Sequence, residues 1–256
     1  MVALDSGASL GTVPAIGIGN ERLNMITIRK ANDRGHADYG WLNTSYSFSF
    51  ADYHDPKWMG FRSLRVINDD TVAGGGGFDM HPHRDMEIVT YPLSGALSHK
   101  DSLGTGSVIR PGEIQRMSAG SGIVHSEFNA SQSEPVHFLQ IWIIPSDAGN
   151  APSYEQKMVD ADAVRNKFAR IASSDPLPNE VRIRQDAEIW AARFEGEEEA
   201  VHRLQPGRKV WLHVARGVVE VSGEKLSAGD AAAIMDEESI LVRAREPAEV
   251  LLFDVA

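Results

Sequence analysis

Two short segments carry side chains with metal-binding chemistry. One is His81-Pro82-His83, followed by Glu87; the other is His125-Ser126-Glu127. Along a β-strand, residues i and i+2 project to the same face. If both segments are strands, His81 and His83 project together, and so do His125 and Glu127. Two such strands side by side bring three imidazoles and one carboxylate to a common face. That donor set suits a borderline divalent ion such as Fe, Ni, Cu, Mn, Co or Zn. Four donors leave one or two positions open on a five- or six-coordinate ion, as a catalytic site requires and a structural site does not. A lone His-x-His pair is often surface decoration, and a lone His-x-Glu pair is a weaker signal still. Two pairs, each beside a glycine-rich turn (74–77 and 120–122), outweigh that reading. The chain has no cysteine, which excludes disulfides, thiolate catalysis and Cys-ligated zinc or iron–sulfur centres.

The elements that must position these residues are strands. SYSFSF (45–50), SLRVIN (63–68), MEIVTY (86–91) and HFLQIWII (137–144) alternate or run apolar, with clusters of Gly, Pro, Asn and Asp between them. Many short strands at this spacing predict a sandwich or barrel. A less β-like stretch follows over 153–175, where Met158, Ala161, Val164, Phe168 and Ile171 recur every three or four residues and predict a helix or helical turns. DPLPN (175–179) reads as a linker, and strands then resume to the end of the chain.

The second half reads as a worn copy of the first. MEIVTYPLSGALSHKD (86–101) matches KVWLHVARGVVEVSGE (209–224), VIRPGEIQRM matches KLSAGDAAAI, and EPVHFLQIWII matches EPAEVLLFDVA, in the same order. An all-β chain is therefore expected, with a first barrel domain over 25–150, a helical or linker segment over 151–180 and a second barrel over 181–256. The only histidines of the second half, His202 and His213, stand in no His-x-His or His-x-Glu pair, so that barrel should hold no metal. His36, His54, His99 and His137 are isolated and read as surface or satisfied core positions; the five tryptophans read as packing. Residues 1–24, rich in Gly, Ala and Ser, read as a flexible extension ahead of a first strand at Met25, the alternative being an arm packed on the body or a neighbour.

With Lys+Arg 25 against Asp+Glu 36, the net charge of −11 argues against nucleic acid or an anionic membrane surface as the partner. No apolar run is long enough to span a membrane. With no export signal at the start, the cytoplasm is the expected location. A G-x-S-x-G elbow is absent, and the glycine run 74–77 is followed by no Gly-Lys-Ser/Thr, so it is not a phosphate loop.

Gly75, five residues, His81-x-His83, three residues, Glu87 resembles the first cupin motif, although the next glycine, Gly95, falls one residue late. Gly122, two residues, His125, three residues, Asn129 resembles the end of the second cupin motif, with Gly120 where that motif usually has proline. HPHRDME together with SAGSGIVHSE resembles the pirin family. The opening RKANDRGHADYGWLNTSYSFSFADYHDP and MGFRSLRVINDD are similar to its bacterial members with quercetin 2,3-dioxygenase activity. The resemblance spans about residues 25–256 and is strongest over 25–145.

That resemblance implies a bicupin, two double-stranded β-helix barrels in one chain, with one metal in the N-terminal barrel. Its ligands would be His81, His83, His125 and Glu127, with iron as the leading expectation and Cu, Ni, Co, Mn or Zn as alternatives. Glu87, the usual cupin carboxylate ligand, is placed off the metal, behind the ligands or in a purely structural role. The resemblance implies a flavonol substrate such as quercetin, O₂ as co-substrate, Glu127 as the base for the 3-hydroxyl proton, and release of carbon monoxide and a depside. The rival reading is a metal-dependent, redox-sensing regulatory protein that binds a partner without turnover. A different metal-dependent cupin enzyme is a further alternative. A monomer is expected.

Overall fold

The computed structural model describes residues 26–256, so the extension expected over 1–24, and Met25, lie outside the described residues. Apolar alternation builds four sheets. A seven-stranded sheet runs, in spatial order, Ser153–Met158, Glu113–Ser118, Glu87–Ser94, Val136–Ile143, Leu64–Val72, Leu42–Tyr46, Gly35–Asp38. It closes into a barrel with a four-stranded sheet, Gly77–His83, Ile123–Asn129, Leu97–Asp101, Gly106–Ile109. The second half repeats the design. Its seven-stranded sheet runs Ile26–Arg29, Ala231–Ile234, Lys209–Arg216, Ala248–Val255, Ala187–Phe194, Ala169–Ser173, Val181–Arg182. Its four-stranded sheet runs Glu199–Arg203, Ser239–Ala244, Val218–Val221, Glu224–Ser227.

The duplication read from the sequence extends to the turns. Gly95 and Gly217 each hold φ 72°, a left-handed conformation that favours glycine. A Cβ on Gly95 would meet the Pro135 carbonyl at 2.7 Å, and one on Gly217 the Pro247 carbonyl at 2.3 Å. Each turn is thus pressed against the same Glu-Pro segment of its own half.

Chain order and sheet membership part company in two places. Ile26–Arg29 pairs with Ala231–Ile234 of the second half, so the first described strand completes the C-terminal sheet. Ser153–Met158 pairs with Glu113–Ser118 and occupies the matching edge of the N-terminal sheet. The helix expected over 153–175 shrinks to the single turn Ala161–Val164, flanked by the strands Ser153–Met158 and Ala169–Ser173. Asp160 starts that turn by accepting the backbone N–H groups of Asp162 (3.0 Å) and Ala163 (3.2 Å), and Asn166, at φ 55°, stops its continuation. The three-to-four spacing misled because Met158 is exposed while Val164 and Ile171 are buried. The apolar positions do not share one face.

The two large sheets pack face to face. Their joint core includes Phe48, Leu64, Ile67, Tyr91 and Ile141 from the first half and Trp211, Leu251 and Phe253 from the second. Trp211 is fully buried, with ring centroids 4.7 Å from Phe48 and 5.8 Å from both Trp58 and Phe61. Beside this core a polar clamp ties the halves together. The Tyr91 hydroxyl donates to Glu249 (2.5 Å), and Arg193 donates to Glu249 (2.8 Å) and to the Tyr91 hydroxyl (3.1 Å). Arg216 lies 3.7 Å from Glu249 and donates to the Leu93 carbonyl.

The barrel interiors differ. The C-terminal barrel is filled by one continuous apolar cluster that includes Leu212, Ala232 and Leu252. The N-terminal barrel holds two smaller clusters, one around Val72, Leu97 and Phe138 and one around Ile88, Met117 and Ile123. In the N-terminal sheet Thr90 pairs with both Gln115 and Gln140; in the C-terminal sheet Leu212, at the same distance before its turn glycine, pairs with Ala232 and Leu252. One row of cross-strand neighbours is thus polar in one barrel and aliphatic in the other.

On the neighbouring strands Leu64–Val72 and Val136–Ile143, Asp69 accepts from His137 Nε2 (2.6 Å), and also from both terminal nitrogens of Arg34 (3.2 Å each). Burial alone would raise its carboxyl, but His137 and Arg34 prevail and lower it to about 2. A carboxyl held below its ordinary 3.8 adds stability that is complete above that value and is lost as the pH falls towards 2. The shift corresponds to about 2 kcal/mol. Asp69→Asn is expected to lower the unfolding free energy at neutral pH by that order and to flatten its slope between about pH 4 and 2. Denaturant titrations at several acid pH values check this, and identical slopes in the two proteins would refute it.

Candidate metal centre

The strand Gly77–His83 lies at the edge of the N-terminal four-stranded sheet, where Pro82, lacking an N–H, is tolerated. Its neighbour Ile123–Asn129 runs antiparallel, with His125 opposite His81 and Ile123 opposite His83. The ladder shifts between His125 and Glu127 on this side. On the other side of Ile123–Asn129 lies Leu97–Asp101, which sets His125 opposite Asp101 and Glu127 opposite His99.

Three of the residues chosen from the sequence converge. Donor atoms of His81, His83 and His125 lie within 4.8 Å of one another. Their ring centroids are 4.4 Å (His81–His125), 4.8 Å (His81–His83) and 4.9 Å (His83–His125) apart. His81 Nδ1 sits 2.7 Å from the Asp79 carbonyl, which places its proton on Nδ1 and leaves the Nε2 lone pair free. Burial, reinforced by the neighbouring imidazoles, lowers His83 to about 4 and His125 to about 2, so both rings are neutral at physiological pH and present lone pairs. Both nitrogens of His125 are buried without a hydrogen-bond partner. Three clustered imidazoles with an unsatisfied buried member fit a bound divalent ion.

Glu127 stands beside this triad rather than within it. Its carboxylate belongs to a second group, with His99 and His125, whose donor atoms also lie within 4.8 Å of one another. His125 is common to both groups. Glu127 is 3% exposed and accepts from Gln140 Nε2 at 2.8 Å. The Thr90 hydroxyl reaches Glu127 at 3.4 Å and Gln140 Oε1 at 3.0 Å. Burial, with the nearby Asp70 carboxyl, pushes Glu127 up to about 7, although Thr90 and Gln140 pull it down. A carboxyl poised near neutrality can hold a proton or release it.

Glu87 is in neither group. It is buried, accepts from the Ser118 hydroxyl and the Arg184 backbone N–H (3.4 Å), and lies 4.0 Å from Arg116, so it serves the structure of the sheet.

The main residue that sequence reasoning passed over is His99. Read as isolated, it is fully buried in the site, with its ring centroid 5.3 Å from His125 and 4.8 Å from Tyr154. His99-Lys100-Asp101 has the same i, i+2 spacing as the other two pairs, and that signal was available. Gln140 and Thr90 carried none. Trp142, read as packing, also borders the site, 5.0 Å from His83. It closes one side of a cavity of about 330 Å³ lined further by Phe50, Tyr53, Met59 and Met86. None of His81, His83 and His125 lines this cavity, nor a second one of about 500 Å³ near Val164, Leu177 and Trp190.

Among the described residues, the second barrel has no grouping of this kind. His202 donates to Asp254 (2.9 Å), and His213 is buried in the large sheet. Fold and site therefore define a two-barrel cupin-type chain with an inward histidine cluster in one barrel only. A family model described as Pirin matches residues 27–143, and one described as the quercetinase C-terminal cupin domain matches 170–255. The chain belongs to the pirin family. It is 47% identical over 231 residues to a quercetin 2,3-dioxygenase of Escherichia coli K12, covering 90% of this chain and 99% of that one. A putative quercetin 2,3-dioxygenase of Pseudomonas aeruginosa is 44% identical, covering 91% of this chain and all of that one. The crystal structure of the Escherichia coli bacterial pirin YhhW in complex with nickel(II) superposes with a TM-score of 0.85 at 46% identity, over 90% of this chain and 99% of that one. Among the described residues, no helix is long and apolar enough to cross a membrane.

Proposed function

We propose that the protein is a metal-dependent dioxygenase that cleaves flavonols such as quercetin with O₂, releasing carbon monoxide and a depside, as a monomer in the cytoplasm. In this reading one divalent ion is held by His81, His83 and His125, with Glu127 as the fourth donor and the proton acceptor. The observation that carries it is the convergence of three imidazoles beside a buried carboxyl in the N-terminal barrel, where the other barrel is filled with aliphatic side chains. The relatives named for quercetin cleavage support the substrate class, and the nickel-bound relative supports a divalent ion. Iron is the expected ion, and Ni, Co, Mn, Cu and Zn suit the same donors.

A bound divalent ion supplies Lewis acidity, lowering the pKa of a flavonol 3-hydroxyl and fixing its orientation. The chain's own residues do the rest. Glu127 takes the hydroxyl proton onto its carboxylate. Gln140 and Thr90 hold that carboxylate in place, and the Thr90 oxygen can accept from it once it is protonated. Trp142, which packs on His83, and Met86 give the adjoining cavity an aromatic and thioether wall that suits a flat phenolic ring. The second barrel, built from 169–256 with the strand Ile26–Arg29, braces the first through the shared core.

The test is anaerobic reconstitution of metal-free protein with Fe(II), Mn(II), Co(II), Ni(II) and Cu(II) in turn, followed by O₂ uptake with quercetin. Metal-dependent uptake with release of carbon monoxide is the expected result. Tight metal binding without uptake would overturn the dioxygenase in favour of a regulatory protein. In the same assay His83→Ala and His125→Ala are expected to lose the metal while still melting in one cooperative transition, because the cores lie in the surrounding strands. Unfolding of these variants would mark the metal as structural.

A further inference from the structure

We propose that Asp101 and His99 are positioning residues that set the tautomer and orientation of His125, and thereby the affinity of the metal site; the inference rests on the function proposed above. His125 is 1% exposed and neither ring nitrogen has a partner. An ion can take only one of the two. The other carries the proton, and in this interior it requires an acceptor.

Two acceptors stand within 4.8 Å of His125, the Glu127 carboxylate and a ring nitrogen of His99. Glu127 is already engaged by Gln140 and Thr90 and is the fourth donor of the proposed set. His99 is not committed in this way. Its Nε2 lies 3.0 Å from Asp101 Oδ2, and both side chains are fully buried. The carboxylate can only accept, so the His99 proton sits on Nε2 and Nδ1 keeps its lone pair. Nδ1 is buried and has no partner.

The geometry fixes His99 firmly. Asp101 Oδ1 accepts the backbone N–H groups of Leu103 (2.9 Å) and Thr105 (3.0 Å), which anchors the carboxylate in its turn. Tyr154 packs on the His99 ring at 4.8 Å and an interplanar angle of 32°. The His99 and His125 rings are 5.3 Å apart at 48°, a separation at which their nitrogens can meet. With an ion on one nitrogen of His125, a chain of donors would run one way, from His125 N–H to the unpartnered His99 Nδ1 and on through the His99 Nε2–H bond to Asp101. Such a chain holds a ligating imidazole in one tautomer and makes its free nitrogen more basic. The first link is a diagonal between neighbouring strands, since Asp101 faces His125 and His99 faces Glu127 in the ladder, and the second joins residues i and i+2 of one strand.

The test uses full-length, metal-free wild type, Asp101→Asn, His99→Phe and His99→Gln, each titrated with Ni(II) and, separately, with Co(II) followed by visible absorption. Asp101→Asn keeps the oxygen that accepts from Leu103 and Thr105. Its amide donates to His99 Nε2 and drives the His99 proton onto Nδ1, against His125. His99→Phe keeps the packing on Tyr154 and removes the acceptor. Both are expected to weaken Ni(II) binding by about 10- to 100-fold and to shift the Co(II) bands, with the metal-free melting temperature unchanged for Asp101→Asn. His99→Gln, whose amide oxygen can accept, should recover part of the loss. Wild-type affinity and Co(II) spectrum in both Asp101→Asn and His99→Phe would overturn this inference alone. Failure of the wild type to bind either ion would overturn it together with the proposed function.

Discussion

Glu127→Gln is expected to lower the turnover number for flavonol-dependent O₂ uptake by about 10²- to 10⁴-fold, the range lost when a positioned general base is removed. The substitution keeps the shape of the side chain and an oxygen for the Gln140 amide, so the barrel interior is preserved. It removes a buried carboxyl beside the imidazoles that is pushed up to about 7 and can both accept and return a proton near neutrality. Metal content is measured on the same sample. The three imidazoles converge without Glu127, so much of the ion should be retained, and rates are compared per bound ion. Wild-type turnover per ion in Glu127→Gln would eliminate this carboxyl as the base. Loss of the ion in step with loss of activity would reduce its role to that of a ligand.

The second large effect falls far from the metal. Glu249→Ala is expected to destabilise the folded chain by about 3 kcal/mol, the low end of what removing one member of a buried ion pair costs. Glu249 is 8% exposed and is the common acceptor for Tyr91 and Arg193 across the junction of the two halves. Without it the buried Tyr91 hydroxyl loses its acceptor and Arg193 keeps its charge with no carboxylate beside it. Arg216, about half exposed, contributes little. Glu249→Gln, which can still accept from Tyr91, should fall between alanine and wild type. Urea denaturation checks the order, and a loss below about 1 kcal/mol for alanine would mean that the junction is held by the apolar core around Trp211 and not by the clamp.

Much of this architecture was legible in one dimension because it is local. A strand alternates with period two, so His81 and His83 had to share a face, as had His125 and Glu127, whatever their surroundings. The repeat of strand, turn glycine and strand was legible for the same reason, and it reappears in the matched conformations of Gly95 and Gly217. The missing ligand pairs of the second half needed no structure either. The helical reading of 153–175 failed because apolar spacing over a few residues does not say on which side each residue is covered. Met158 faces solvent on an edge strand, while Val164 and Ile171 face the core.

What lay beyond the sequence was set by pairing between distant segments. That His99 belongs to the site follows from its position opposite Glu127 in the ladder, and no spacing within the chain states which strands become neighbours. The same holds for Gln140 and Thr90, which reach Glu127 from two adjacent strands of the opposite sheet, and for Ile26–Arg29, which crosses to complete the second barrel. The division of labour between the barrels has this origin as well. Thr90, Gln115 and Gln140 become one polar row only when three strands close side by side, and Leu212, Ala232 and Leu252 become its aliphatic counterpart in the same way. Residue type and local period are properties of a segment. Register between strands is a property of the closed sheet, chosen by burying all its faces at once, and that choice separates a barrel with room for chemistry from one filled with side chains.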